Sequence, residues 1–238
     1  MPTSQLRRAV LLAVGILAAG CNPAPQQTQP ARPVPVRPAR IVVLADISES
    51  VLFHNVEAVG PEHLRQLAQL AARAGGEIAF GTVPMPQDRS LVRASFSPPP
   101  TPPGRSSNVF RQMQVEGAYK RRLAEWEAVT GELVDWFVRE AQVLLRPRRE
   151  RGSPVFRALR MAEVFLTEHG AAGLRVVLAS TDGFDTTQDP PVQKLPDGTQ
   201  FIVVNGDGSV GSLAHLRPLL FSNMSAAVEY VTKLTEVR

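Results

Sequence analysis

Cysteine is all but missing: Cys21 is the only one in 238 residues, so the chain can form no internal disulfide. Histidine is nearly as scarce, and His54, His63, His169 and His215 stand at no metal-ligand spacing, so each reads as a surface or internally satisfied side chain. No GxxxxGK[ST], HExxH or GxSxG run occurs, which removes the usual signatures of phosphate-cradling, zinc-peptidase and serine-hydrolase chemistry. The apolar stretch from Ala9 to Ala19 is too short to span a bilayer. A net charge of +4 with a pI near 9.8 gives little reason to expect a nucleic-acid partner. Two of the positive charges, Arg7 and Arg8, lie in the leader described next, and RPRRERG at Arg146 to Gly152 reads as a solvated helix end and loop.

Proline is abundant but clustered, at Pro23 to Pro38 and Pro98 to Pro103, and both clusters exclude regular helix or central strand. Ahead of the first, a basic start, an apolar run and small residues before Cys21 have the layout of a secretory signal. The run Leu17-Ala18-Ala19-Gly20-Cys21 resembles the lipobox of bacterial lipoproteins. That resemblance implies cleavage after residue 20 and acyl chains on Cys21, each buried methylene contributing about 0.8 kcal/mol to membrane retention. Residues 21–39 then read as a polyproline-type tether. The expected location is the bacterial cell envelope, with Asn22 after the cysteine favouring the periplasmic face of the outer membrane.

From residue 40 the pattern changes. Ile41 to Ala45 is a continuous β-branched run suited to a strand covered on both faces, and Pro61 to Ala74 repeats Leu and Ala at helical spacing before Gly75-Gly76. Glu77 to Val83 and Leu91 to Phe96 read as an edge hairpin joined by PMPQDRS. After the proline break, Asn108 to Leu145 carries an apolar, aromatic stripe at mostly helical intervals, read as core packing, with Gly117 and Gly131 as dividing points. A helix over Pro154 to His169, strands at Leu174 to Ser180 and Gln200 to Asn205, and a helix over Ser222 to Thr235 complete the series. Strands alternating with helices predict an α/β fold, doubly wound around a mostly parallel sheet, with one antiparallel edge strand and a long helical insertion at about residues 98–150.

Burial explains neither end loop of this sheet. The first strand runs into Asp46-Ile47-Ser48-Glu49-Ser50, and the strand ending at Ser180 runs into Thr181-Asp182-Gly183-Phe184-Asp185. In open α/β sheets such loops meet beyond the carboxyl ends of the strands, at the point where strand order reverses. Asp46, Ser48 and Ser50 alternate, so three oxygens can face one point, and oxygen ligands suit a hard divalent cation. Glu49 and Asp185 read as surface residues.

These residues resemble the metal-ion-dependent adhesion site of von Willebrand factor type A (VWA) domains, in which Asp-x-Ser-x-Ser follows the first strand and an Asp stands in a later Thr-Asp-Gly turn. The resemblance covers about residues 40–238. Where that family often has Gly-Thr, this chain has Gly152-Ser153, which supplies the same hydroxyl without the stiffening methyl. The resemblance implies a Rossmann-like VWA fold and a Mg²⁺ (or Mn²⁺) site. Ser48, Ser50 and Ser153 would be direct ligands, Asp46 and Asp182 would bind directly or through water, and a partner protein's carboxylate would complete the site. The implied function is a membrane-anchored, non-enzymatic protein-binding module.

Two other readings stay open. The same Ser and Asp residues could simply cap turns and helix starts, leaving a metal-free scaffold that binds its partner through the helical insertion. An Asp after a buried strand also begins aspartyl-phosphate sites, but those call for a second carboxylate where Ser48 stands and for a positioned Lys, and neither is evident. NGDGSVG, at Asn205 to Gly211, matches neither a calcium loop nor a dinucleotide cradle and reads as a turn above the sheet.

Overall fold

A computed structural model describes residues 38–53, 56–84, 90–145, 152–168 and 173–236. The predicted leader, Cys21 and the tether up to residue 37 lie outside the described residues, as do residues 146–151 of the basic run, His54 and His169. Among the described residues, no helix is long and apolar enough to cross a membrane.

Six strands form one sheet in the order β3-β2-β1-β4-β5-β6. They are β1 (Ala39–Asp46), β2 (Glu77–Val83), β3 (Val92–Ser95), β4 (Leu174–Ser180), β5 (Thr199–Val204) and β6 (Leu219–Phe221). All neighbours are parallel except β2 and β3, which form the expected antiparallel hairpin at the edge. β1 begins at Ala39, inside the range assigned to the tether, because Ala39 is buried and pairs with Leu174. β6 had no counterpart in the sequence reading; its residues are exposed or half-buried, and so short a strand carries no apolar pattern.

The alternation of the strands divides the core in two. Ile41, Val43 and Ala45 of β1 face one layer with α2 (Pro61–Arg73), α3 (Val109–Leu144) and α5 (Met224–Glu236). Val42 and Leu44 face the other, with α4 (Val155–Thr167) and Leu213 of the short 3₁₀ helix Gly211–Leu216. β1 and β4 lie side by side at the centre, the chain having run outward through β2 and β3 on one side and through β5 and β6 on the other. The sheet is thus mostly parallel, helix-covered on both faces and compatible with a Rossmann-like fold.

Between β3 and α4, α3 runs 36 residues without a break. The expected division at Gly117 and Gly131 is not observed. A helical glycine costs only about 1 kcal/mol relative to alanine, which a helix this long absorbs. The apolar stripe is core only in its C-terminal part, where Val134, Phe137, Val138, Ala141 and Leu144 are buried. Phe110, Met113 and Val129 are 80%, 65% and 67% exposed, so reading the whole stripe as packing is corrected. The Trp126 indole N–H donates to Ser97 O at 2.9 Å, tying the middle of α3 to the chain leaving β3.

Candidate functional site

β1 ends at Asp46, and Ile47 N still donates to Val83 O of β2 at 2.7 Å before the chain turns away from the sheet. The Asp46 carboxylate turns back over the strand end, where it is almost fully buried. Its Oδ1 accepts from Ser48 N at 2.9 Å, which curls the loop into the first turn of α1 (Glu49–Phe53). Its Oδ2 accepts two hydroxyls from distant parts of the chain, Ser153 Oγ at 2.7 Å and Thr181 Oγ1 at 2.8 Å. Ser48 Oγ and Ser50 Oγ share a hydrogen bond of 2.9 Å beside it.

Asp46, Ser48, Ser50 and Ser153 are therefore brought into one connected cluster with Thr181, whereas Asp182, the next residue in the chain, is joined to it by no hydrogen bond. Asp182 is fully buried; its Oδ1 accepts from Phe184 N at 3.0 Å, and its Oδ2 has no hydrogen-bond partner. An orphaned carboxylate oxygen inside a folded protein is costly and calls for a missing donor or cation. Among the described residues, no group of three His, Cys, Asp or Glu side chains is placed to hold a metal ion, so any cation here would rest on two carboxylates and the hydroxyls around them.

The hydroxyl chemistry fits such a cation. A hydroxyl has one proton to donate and two lone pairs to offer. Ser153 gives its proton to Asp46 and keeps both lone pairs, whereas Thr181 spends one of its own on Gly183 N at 3.1 Å. Asp46, with both oxygens already accepting, acts chiefly to aim its neighbours.

Sequence reasoning missed Thr181, and it also missed the clamp that sets Ser153. Thr186 Oγ1 accepts from Ser153 N at 2.6 Å, and Thr186 N donates to Ser153 O at 3.2 Å. Asp185 is not simply a surface residue: its Oδ2 accepts from Phe156 N at 2.8 Å in the first turn of α4, where backbone N–H groups lack helical partners. The available signal was the Asp-Thr-Thr run, Asp185 to Thr187, whose side chains favour such local capping. The loop carrying Asp182 is pinned from the other side as well. Gly183 has φ +79°, and a Cβ there would stand 2.5 Å from Val210 O, so only glycine fits.

The turn after β5 lies above the sheet as expected, with Asn205 Nδ2 donating to Ser209 O at 3.0 Å. The described histidines are engaged with neighbouring protein groups, His63 Nδ1 accepting from Gly60 N at 3.2 Å and His215 Nε2 standing 2.7 Å from Val192 O. Comparison with protein-family models, curated proteins and solved structures finds no match for the chain.

Proposed function

We propose that this protein is a lipid-anchored, non-enzymatic binding module of the bacterial cell envelope, with a VWA-type fold whose adhesion site holds Mg²⁺ or Mn²⁺ and captures an acidic group of a partner protein. The observation that carries the reading is the buried, unpartnered Asp182 Oδ2, one residue on from Thr181, whose hydroxyl Asp46 holds together with that of Ser153. Ser48, Ser50 and Ser153 would be the direct ligands, Asp182 would bind directly or through water, and Asp46 would hold the hydroxyls in place. The strand order and the edge hairpin also agree with the VWA resemblance. When bound, the cation would supply a Lewis-acidic centre with a coordination position left for a carboxylate from outside. Because few formal charges surround it, that centre would stay electrophilic. The lipid on Cys21 would fix where the module works, at the membrane surface.

Capture of an envelope partner in Mg²⁺ but not in EDTA is expected, with loss of capture in the Asp46→Ala, Ser48→Ala double variant. Equal capture by that variant would move the function to the competing scaffold reading, in which the partner binds α3. The exposed N-terminal half of α3 is the observation that keeps that reading in view.

A further inference from the structure

The first half of α3 belongs to an arm, and the strand register fixes the end of the molecule from which it projects. Arg40 pairs with Glu77 and Glu77 with Ser95, so β1 and β2 begin, and β3 ends, at one end of the sheet. At that corner Gly76 lies against Ala39 and Gly75 against Pro98, so closely that a Cβ on either would collide with the backbone opposite. The proline-rich segment therefore leaves the body at the corner where residues 1–37 join it. Helix α3 runs antiparallel to α2: Asp135 meets Arg65 near the start of α2 at 3.2 Å, and Trp126 lies by Arg73 at its end. Beyond its C-terminus the chain reaches Ser153, beside Asp46 at the far end of β1. Residues 109–125 thus extend about 25 Å past the end of the sheet where β1 begins. None of them is buried.

The arm has two sides tied at both ends. Trp126 holds Ser97 at the base; near the tip Gln112 Oε1 accepts from Ser106 N at 2.7 Å, and Asn108 caps α3 by accepting from Arg111 N at 3.1 Å. The tip is apolar and open, with Val109, Phe110 and Met113 exposed by 69%, 80% and 65%. At about 100° per residue these three share a sector of about 120° with Lys120 and Arg121, two to three turns nearer the body. Residues 98–124 carry Arg105, Arg111, Lys120, Arg121 and Arg122 against the single acid Glu116. All five are exposed, and none forms an ion pair among the described residues.

We infer that the tip of this arm docks on the surface of an anionic phospholipid bilayer. Apolar side chains at a projecting end, with cationic ones behind them on the same face, have the order of a segment that enters a lipid interface: ring and thioether reach the acyl boundary while ammonium and guanidinium groups meet phosphates. That this is the membrane holding the chain rests on the lipid-anchored reading; the docking itself rests on the arm and is independent of the metal site. Fully extended, residues 21–38 reach about 60 Å, more than twice the length of the arm, so an anchored chain can set its tip on the bilayer. Glu127, the first acid of α3 in the same sector, stands about 27 Å along the helix from Val109. The screening length at physiological salt is about 8 Å, so the acidic middle of α3 does not oppose docking. A second copy would set the same basic arm against itself. Docked on lipid, the arm leaves the opposite end of the sheet, with the Asp46 cluster, turned toward a partner.

The chain from residue 21 with Cys21→Ser carries no lipid, so its binding to vesicles reads the protein's own side chains. At about 50 mM salt it should bind phosphatidylcholine vesicles that are about one quarter phosphatidylglycerol at least tenfold more tightly than pure phosphatidylcholine, and lose at least tenfold at about 500 mM. Phe110→Ser with Met113→Ser, and separately Lys120→Glu with Arg121→Glu, should each weaken binding tenfold or more with helix content unchanged by circular dichroism. The same charge change at Arg139 and Lys194, away from the arm, should weaken it less than threefold. Cys21 being the only cysteine, a polarity-sensitive dye placed on Phe110→Cys in this background should shift to the blue on anionic vesicles, and on Val129→Cys should not. No binding at low salt, binding undiminished by the tip changes, or no shift at residue 110 would overturn the proposal. A dimer without vesicles that the tip changes abolish would also overturn it and assign the tip to a second copy. Fatty-acid labelling of Cys21 reads the anchor separately.

Discussion

At Asp46 one side chain accepts three hydrogen bonds, from the Ser48 amide and from the hydroxyls of Ser153 and Thr181. Its removal would leave buried donors from three segments without acceptors, each costing about 1 to 3 kcal/mol when unsatisfied. Asp46→Ala is therefore expected to lower stability by on the order of 3 kcal/mol in urea unfolding without metal, and a loss under about 0.5 kcal/mol would mean that these bonds do not organise the loops. Much of this was legible in the sequence. An Asp directly after a continuous apolar strand, followed by alternating serines, has no use in a core, and Asp182 in its Thr-Asp-Gly turn gave the second half of the pattern. Thr181 was not legible, because whether its hydroxyl reaches Asp46 depends on the turn of the chain after β4 and on the pairing of β1 with β4, which no local pattern encodes.

Among the elements, the strands that bracket the site and the helices α2 and α4 followed their hydrophobic period, and the structure places them within a few residues of expectation. Helix α3 shows where local signals mislead. Gly117 and Gly131 read as breaks, yet a Cβ at either would meet nothing within 4 Å, so neither glycine serves a turn or a close contact. Gly131→Ala, within the part of α3 that packs on the body, should raise stability by about 0.5 to 1 kcal/mol through helix propensity and lowered unfolded-state entropy. A loss of stability in denaturant melts would show that the position needs glycine after all. The aromatic stripe misled for another reason: helical spacing identifies a face, but whether that face is covered depends on how far the helix projects beyond its supports. Here only the C-terminal part lies on α2 and the β2–β3 edge.

For the whole molecule, alternation of strands and helices predicted the class of fold, and the meeting of the two acidic loops followed from the central position of β1 and β4. The clamp from Asp185 and Thr186 onto the Ser153 loop was beyond sequence reasoning, since it joins segments about thirty residues apart through a loop that replaces a helix between β4 and β5. Together these contacts form a cluster held from three sides, and Asp182, the residue after Thr181, carries a buried carboxylate oxygen without a partner. The direct measurement is calorimetric titration of Mg²⁺, and of Mn²⁺, into the purified protein. One site of millimolar or tighter affinity is expected, abolished in Asp182→Asn and in Ser48→Ala, Ser50→Ala while the fold persists by circular dichroism. No binding heat at millimolar metal from a folded protein, or binding undiminished in those variants, would contradict it.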